Sequence, residues 1–284
     1  MYKPNSMFKL DTIPRQLAHI TVRIECKTKN NGISTGTGFY FNFTNSKMQV
    51  PVVITNRHVV ENATSVKFQF TEADSDGKPI IGHSFNLEIP DFSKAWLPHP
   101  DPLVDLAAIP INPILIHTKK SGNPIYHTII DKSLIPSPEK LNSLSALEEV
   151  VMIGYPTGLW DSHNNMPIFR KGITATHPCL DFDGKREFVI DAACFPGSSG
   201  SPVFRYIPRL PIIGTGAVKI SGGDPQLHFL GVLYAGPQFD AEGKIKVVNV
   251  PTHAVPISVT SVMINLGYVI RSERLLEFES VLLK

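Results

Sequence analysis

The chain has 284 residues, 42% of them hydrophobic, with a formal net charge of +2 and a pI near 8.3. That length buries a sizeable core as one large or two medium domains, and the near balance of charge excludes the polybasic patch that nucleic acid or anionic lipid would need, so neither nucleic acid nor a membrane is expected as a partner. No stretch approaches the ~20 apolar residues of a membrane span, and 24 prolines weigh against a helical protein.

Met1 to Ile20 mixes Lys3, Lys9, Asp11 and Arg15 without an apolar centre, so it does not read as a secretory signal. Three cysteines, Cys26, Cys179 and Cys194, are an odd count. Together these features predict a reducing, cytoplasmic location. Short Val/Ile/Phe runs between Gly, Pro and Asn then recur along the chain and read as strands. In Pro51–Val60 an apolar strand ends at Thr55-Asn56-Arg57, which puts His58 at a strand terminus, where a base can face a cleft. Glu72–Gly77 reads as an exposed acidic turn; it lacks the twelfth-position glutamate of a calcium loop. In Leu103–Ile109 a lone carboxylate, Asp105, sits in an apolar stretch, costly to bury without a partner that an imidazole N–H would supply. Asp101, between Pro100 and Pro102, reads as loop. Residues 111–150 are polar and proline-containing without strong periodicity and read as a linker with surface loops.

Pro196-Gly197-Ser198-Ser199-Gly200-Ser201-Pro202 places serine between glycines in a loop of small residues, where a hydroxyl is exposed and backbone N–H groups can turn toward a developing oxyanion. Taken alone, such a loop is equally an ordinary turn. A serine nucleophile requires a histidine base and an orienting carboxylate, and both are present: 47 positions separate His58 from Asp105 and 94 separate Asp105 from Ser199. Ser272–Leu283 has apolar residues at helical spacing behind an N-cap candidate, Ser272, and predicts a C-terminal helix. The other histidines show no metal-ligand spacing, and neither a metal nor another cofactor is expected.

The order His, Asp, Ser with these gaps resembles the chymotrypsin-like serine peptidases, and the likeness runs from about Ile20 to the C-terminus. Gly36-Thr37-Gly38-Phe39 is similar to the glycine-rich strand that approaches the family's histidine. Val151–Gly158 resembles the Gly-x-Pro-x-Gly segment opening the second barrel in the HtrA and glutamyl endopeptidase branches, Lys171–Thr174 resembles the strand that follows, and Asp191-Ala192-Ala193 resembles the HtrA lead into the serine loop, whereas Gly200–Phe204 is closer to the glutamyl endopeptidase version. The resemblance implies an all-β fold of two six-stranded antiparallel Greek-key barrels with a C-terminal helix. Residues 1–125 would form the barrel carrying His58 and Asp105, and residues 126–284 the barrel carrying Ser199. It implies hydrolysis of protein or peptide substrates through an acyl-enzyme, with Gly197 and Ser199 N–H groups as the oxyanion hole. Ser198 stands where secreted relatives keep an aspartate that pairs with a processed N-terminus, so activation by such processing is not expected. Ser201 is expected to bond backbone within the turn.

By the same register Ala193 lies at the base of the specificity pocket, with Cys194, Leu233, Tyr234, Ala235 and Gly236 on its wall and along the substrate strand. None is charged, which predicts cleavage after small or medium aliphatic residues, or after aromatic ones, with Cys194 as a small buried filler. The chain ends after the second barrel, so the PDZ domains of many HtrA proteins are not expected. Two rival readings stay open: a catalytically silent or partner-activated binding module on the same fold, and a processing enzyme that cuts a single partner.

Overall fold

The computed structural model describes residues 9–29, 32–208, 226–236, 238–244 and 257–284, with backbone alone over 238–244 and 257–263. After a short helix α1 (Ile13–Leu17), strands β1 (Thr21–Thr28), β2 (Ile33–Thr44) and β3 (Gln49–Thr55) run antiparallel and lead into a one-turn helix α2 (Arg57–Val60). The chain returns through β4 (Ala63–Ala73), β5 (Pro79–Pro90), β6 (Leu97–Pro98) and β7 (Ala107–Pro110). It continues through helix α3 (Asn112–Lys120), β8 (Ile125–Tyr126), β9 (Ile130–Asp131) and helix α4 (Pro138–Asn142). The first sheet has nine strands in the order β5-β4-β1-β2-β3-β7-β6, with β8 on β4 and β9 parallel to β2.

The second half begins at β10 (Glu149–Gly154) and adds β11 (Ile168–Thr174), β12 (Glu187–Asp191), β13 (Pro202–Ile207) and β14 (Gln226–Ala235). It then makes a separate hairpin, β15 (Gln238–Lys244) with β16 (Ile257–Met263), before β17 (Leu266–Arg271). Strands β10-β11-β12-β17-β14-β13 close into a six-stranded barrel. The all-β double-barrel fold is therefore present. Its first half departs from a plain six-stranded barrel: nine strands take part, and the paired path has open ends at β5 and β6.

Alternation along the strands explains how the halves join, because successive side chains of a strand point to opposite faces. In β2, Phe39, Phe41 and Phe43 share one cluster with Val52, Ile54, Phe204, Phe229, Ile270 and Phe278, while Tyr40 belongs to another with Val22, Ile24, Val53 and Phe68. The first cluster draws on both halves and is the interface between them; a third, around Met152, Phe188, Ile190 and Val269, fills the closed barrel. Each of these phenylalanines contributes roughly 1.5–3 kcal/mol on burial.

Three sequence expectations change. The segment 111–150 contains α3, which buries Ile114 and Thr118. The C-terminal helix is mostly a 3-10 turn, Ser272–Phe278, followed by a single α-turn, α5 (Glu279–Leu282). Ser272 is its buried first residue rather than its cap. Arg271 and Arg274 are buried there and paired with Asp181 and Asp101, so tertiary ion pairs decide the geometry of this turn. No helix among the described residues is long and apolar enough to cross a membrane.

Candidate active site

Strand β3 ends at Thr55, and α2 lifts His58 out of the sheet plane three residues later. Gly36 makes this possible: a Cβ there would come within 2.6 Å of Val59, the residue after His58, so the glycine strand lets α2 settle onto β2. Asp105 lies just before β7. Its backbone carbonyl accepts from Asn56 Nδ2 at 2.8 Å, and its carboxylate accepts the His58 N–H at Oδ1 (2.9 Å) and His58 Nδ1 at Oδ2 (2.5 Å). A carboxylate facing Nδ1 holds the proton there and leaves the Nε2 lone pair free, the tautomer a base needs. Among the described residues, Nε2 makes no hydrogen bond. The His58 side chain remains 44% exposed while that of Asp105 is 20% exposed, so the imidazole is the solvent-facing end of the pair and the carboxylate the inner one.

Ser199 approaches from the second barrel on a loop held at both glycines. Gly197 and Gly200 have φ of 87° and 88°, in the left-handed region that favours glycine. A Cβ on Gly197 would sit 2.6 Å from the Tyr155 carbonyl oxygen, and one on Gly200 would collide with the Thr37 carbonyl oxygen. The Pro196 carbonyl accepts from the Thr157 N–H. Because a trans peptide points its C=O and N–H in opposite directions, this bond directs the Gly197 N–H away from the Thr157 turn. Neither the Gly197 nor the Ser199 N–H finds an acceptor among the described residues, whereas the Ser198, Gly200 and Ser201 N–H groups donate to Phe195, Leu233 and Ser198. Ser199 Oγ donates to the Tyr234 carbonyl at 3.4 Å, and no hydrogen bond joins it to His58 among the described residues.

The two neighbouring serines behave differently from Ser199. Ser198 and Ser201 are buried, and their hydroxyls have no hydrogen-bond partner among the described residues. The expected backbone bond of the Ser201 hydroxyl is thus absent; its main chain alone is bonded.

A pocket of about 230 Å³ adjoins Ser199, lined by Cys194, Phe195, Pro196, Leu233, Ala235 and Gly236. Ala193, expected at the base, and Tyr234, expected on the wall or along the substrate strand, are not among its lining residues. Tyr234 alternates away from it, because β14 is a strand, and donates its hydroxyl to Glu187 Oε2 at 2.8 Å. Burial, followed by the Glu187 contact, raises the Tyr234 phenol well above its usual range. Burial also pushes the Cys194 thiol up to about 11, which makes it a filler rather than a nucleophile.

Four contributors escaped the sequence reading. Phe195 lines the pocket under the Arg170 guanidinium, 4.9 Å above its ring. Gly267 leaves room behind the wall, where a Cβ would lie 2.5 Å from Cys194 Sγ and 2.6 Å from Leu233 Cδ1; a lone glycine inside a strand was the available signal. Thr37 and Thr157 hold the serine loop through bonds made only on folding.

Residues 36–208 match the model of the trypsin-like peptidase domain, a span that includes His58, Asp105 and Ser199. The chain belongs to the trypsin-like peptidase family. No curated protein sequence matches this trypsin-like peptidase. Among solved structures it is similar to the Rv3671c protease of M. tuberculosis in its active form, at 14% identity and a TM-score of 0.44, covering 95% of this chain and 83% of that one. It is similar to the HtrA-type protease AlgW with tripeptide at 16% identity and a TM-score of 0.47, covering 94% of this chain and 61% of that one. For tobacco etch virus protease complexed with product the values are 13% and 0.43, over 83% and 76% of the two chains.

Proposed function

We propose that this trypsin-like peptidase is a serine endopeptidase in which Ser199 is the nucleophile, His58 the base and Asp105 the carboxylate that orients it. The observation that carries the reading is the Asp105 carboxylate, which accepts both the backbone N–H and the Nδ1–H of His58 and leaves Nε2 without a hydrogen bond among the described residues.

In the reaction, the Ser199 hydroxyl turns from the Tyr234 carbonyl to His58 as substrate enters. Its Oγ attacks the scissile carbonyl carbon while the proton passes to His58 Nε2. The oxyanion is stabilised by the Gly197 and Ser199 N–H groups, each worth on the order of 10²–10³ in turnover. His58 then gives its proton to the leaving amine, and an acyl-enzyme on Ser199 results. Water attacks that ester with His58 again taking a proton, and Ser199 leaves as the hydroxyl. The pocket of about 230 Å³ between Leu233, Cys194 and Phe195 favours small or medium aliphatic side chains before the scissile bond.

The Ser199–Tyr234 bond favours a second reading, a site that waits for a partner before the serine engages His58. Reaction with a fluorophosphonate probe, read by intact mass, separates the two. A single adduct on the wild type and none on Ser199→Ala or His58→Ala supports an active peptidase, and a peptide library then reads the side-chain preference. No adduct on the wild type overturns autonomous activity. A strict preference for Arg, Lys or Glu would sink the apolar specificity.

A further inference from the structure

Asp105 stands at the end of an irregular loop, and its placement depends on what fixes that loop. His99 and Leu106 close the loop, with the His99 N–H donating to the Leu106 carbonyl at 3.0 Å. Inside it, Asp101 is the pivot: its Oδ1 accepts the Leu103 N–H at 2.9 Å and its carbonyl accepts the Val104 N–H at 3.1 Å. Both His99 and Asp101 then reach out of the first half to the 3-10 turn Ser272–Phe278. Arg274 donates from a terminal guanidinium nitrogen to Asp101 Oδ2 at 2.7 Å, and its backbone carbonyl lies 2.9 Å from His99 Nε2. The Asp101 N–H donates to His99 Nδ1 at 3.1 Å, so that nitrogen is the acceptor and Nε2–H is the donor to Arg274. Arg274 is itself braced by Glu277, 3.1 Å from its Nε, and Glu277 by Arg186 at 2.9 Å.

The linkage is buried at its Arg274 and His99 end and opens to solvent at Asp101. The His99 side chain has no exposure, that of Arg274 is 9% exposed and that of Asp101 is 37% exposed. Such a half-buried charge pair adds little net stability, but its charge-assisted hydrogen bond fixes direction where apolar contact would not. Here the fixed direction is that of a loop four residues upstream of Asp105, pinned by a segment about 170 positions away in the chain.

We propose that the C-terminal 3-10 turn is a clamp for Asp105, and that Arg274 is a positioning residue which, through Asp101 and His99, sets the carboxylate opposite His58. The inference rests on the reading that Asp105 orients the His58 ring. Loss of the clamp should let the loop drift while the barrels stay folded, and drifts of about 1 Å at such a site cost up to about 10²-fold in rate.

The test compares Arg274→Met, Arg274→Lys, Asp101→Asn and Asp105→Ala in the full chain. Thermal unfolding checks the fold, kcat and KM are measured on the best library peptide, and proton NMR reads the low-field resonance of the proton between His58 Nδ1 and Asp105, which needs no substrate. Arg274→Met should unfold cooperatively, lose about 10-fold to 10²-fold in kcat with little change in KM, and shift or broaden the resonance. Arg274→Lys should recover part of both. If Arg274→Met does not fold, Asp101→Asn, which leaves the arginine to Glu277, carries the same expectation. A folded variant with wild-type kcat and an unmoved resonance overturns the clamp. If that happens while Asp105→Ala is crippled, the clamp alone falls; wild-type turnover by Asp105→Ala would instead remove the reading beneath it.

Discussion

The backbone N–H of Thr37, on a strand of the first half, donates to the carbonyl of Ser199 in the second at 2.9 Å. The Thr37 hydroxyl extends the link: it donates to the Gly197 carbonyl at 3.0 Å and accepts the Tyr155 N–H at 3.1 Å. One fully buried threonine therefore bonds both ends of the Gly197–Ser199 segment and the turn beneath it.

Thr37→Val keeps the shape and deletes these two bonds, leaving a buried N–H and a buried carbonyl without their partner. The expected stability loss is about 1–3 kcal/mol. Turnover should fall by more than that stability loss implies, because the Gly197 carbonyl is then free to rotate. Denaturant midpoints together with fluorophosphonate labelling rates check this; an unchanged labelling rate would show that Thr37 is only structural.

Glycine substitutions should separate chemistry from folding. Gly200→Ala forces a Cβ onto the Thr37 carbonyl at a φ of 88° and should leave little folded protein. Gly197→Ala is strained as well, at a φ of 87°, but its clash is the milder one, 2.6 Å from the Tyr155 carbonyl of the 155–158 turn, so more folded protein should remain while its turnover drops about 10²–10³-fold. Circular dichroism and kcat measured on both variants would reveal the split.

Gly267→Ala tests the pocket from behind. Its Cβ would press on Cys194 and Leu233, moving both walls inward. The expected cost is about 1–3 kcal/mol of overpacking, with preference shifting toward smaller residues before the scissile bond. A peptide library with an unchanged profile would place specificity elsewhere.

Acid should destabilise the first half through His19. Burial lowers this histidine from 6.5 to about 4. Between those values the unfolded chain binds the proton and the folded chain does not, so the stability is complete above about pH 6.5 and declines as the pH falls toward 4. At about 1.4 kcal/mol per pKa unit, His19 accounts for up to about 3 kcal/mol. His127, also lowered by burial, acts in the same direction. Melting temperatures across this range should fall for the wild type and fall less for His19→Phe; parallel curves would exclude His19 as the cause.

The strands, the strand-end histidine and the glycine-framed serine were legible because each is a local pattern: short Val/Ile/Phe runs between Gly, Pro and Asn, a polar triplet after a Val/Ile run, small residues around a serine. The pocket was half legible. Of the residues that register names, Cys194, Leu233, Ala235 and Gly236 line the pocket beside Ser199 while Ala193 and Tyr234 do not, and on β14 the direction of each side chain depends on where the strand bulges between its partners. Helix α3 was missed because it buries only one side chain per turn, too few for a periodic signal.

The sequence by itself determined the class of fold, the family and the three residues on which the proposed chemistry rests, since these depend on residue types and spacings that survive without coordinates. The tertiary structure alone decided the 3-10 form of the C-terminus, the Arg274–Asp101 bond and the Thr37 bridge. Those depend on groups brought together from distant parts of the chain, and a buried hydrogen bond has no partner to point at until the chain has closed around it.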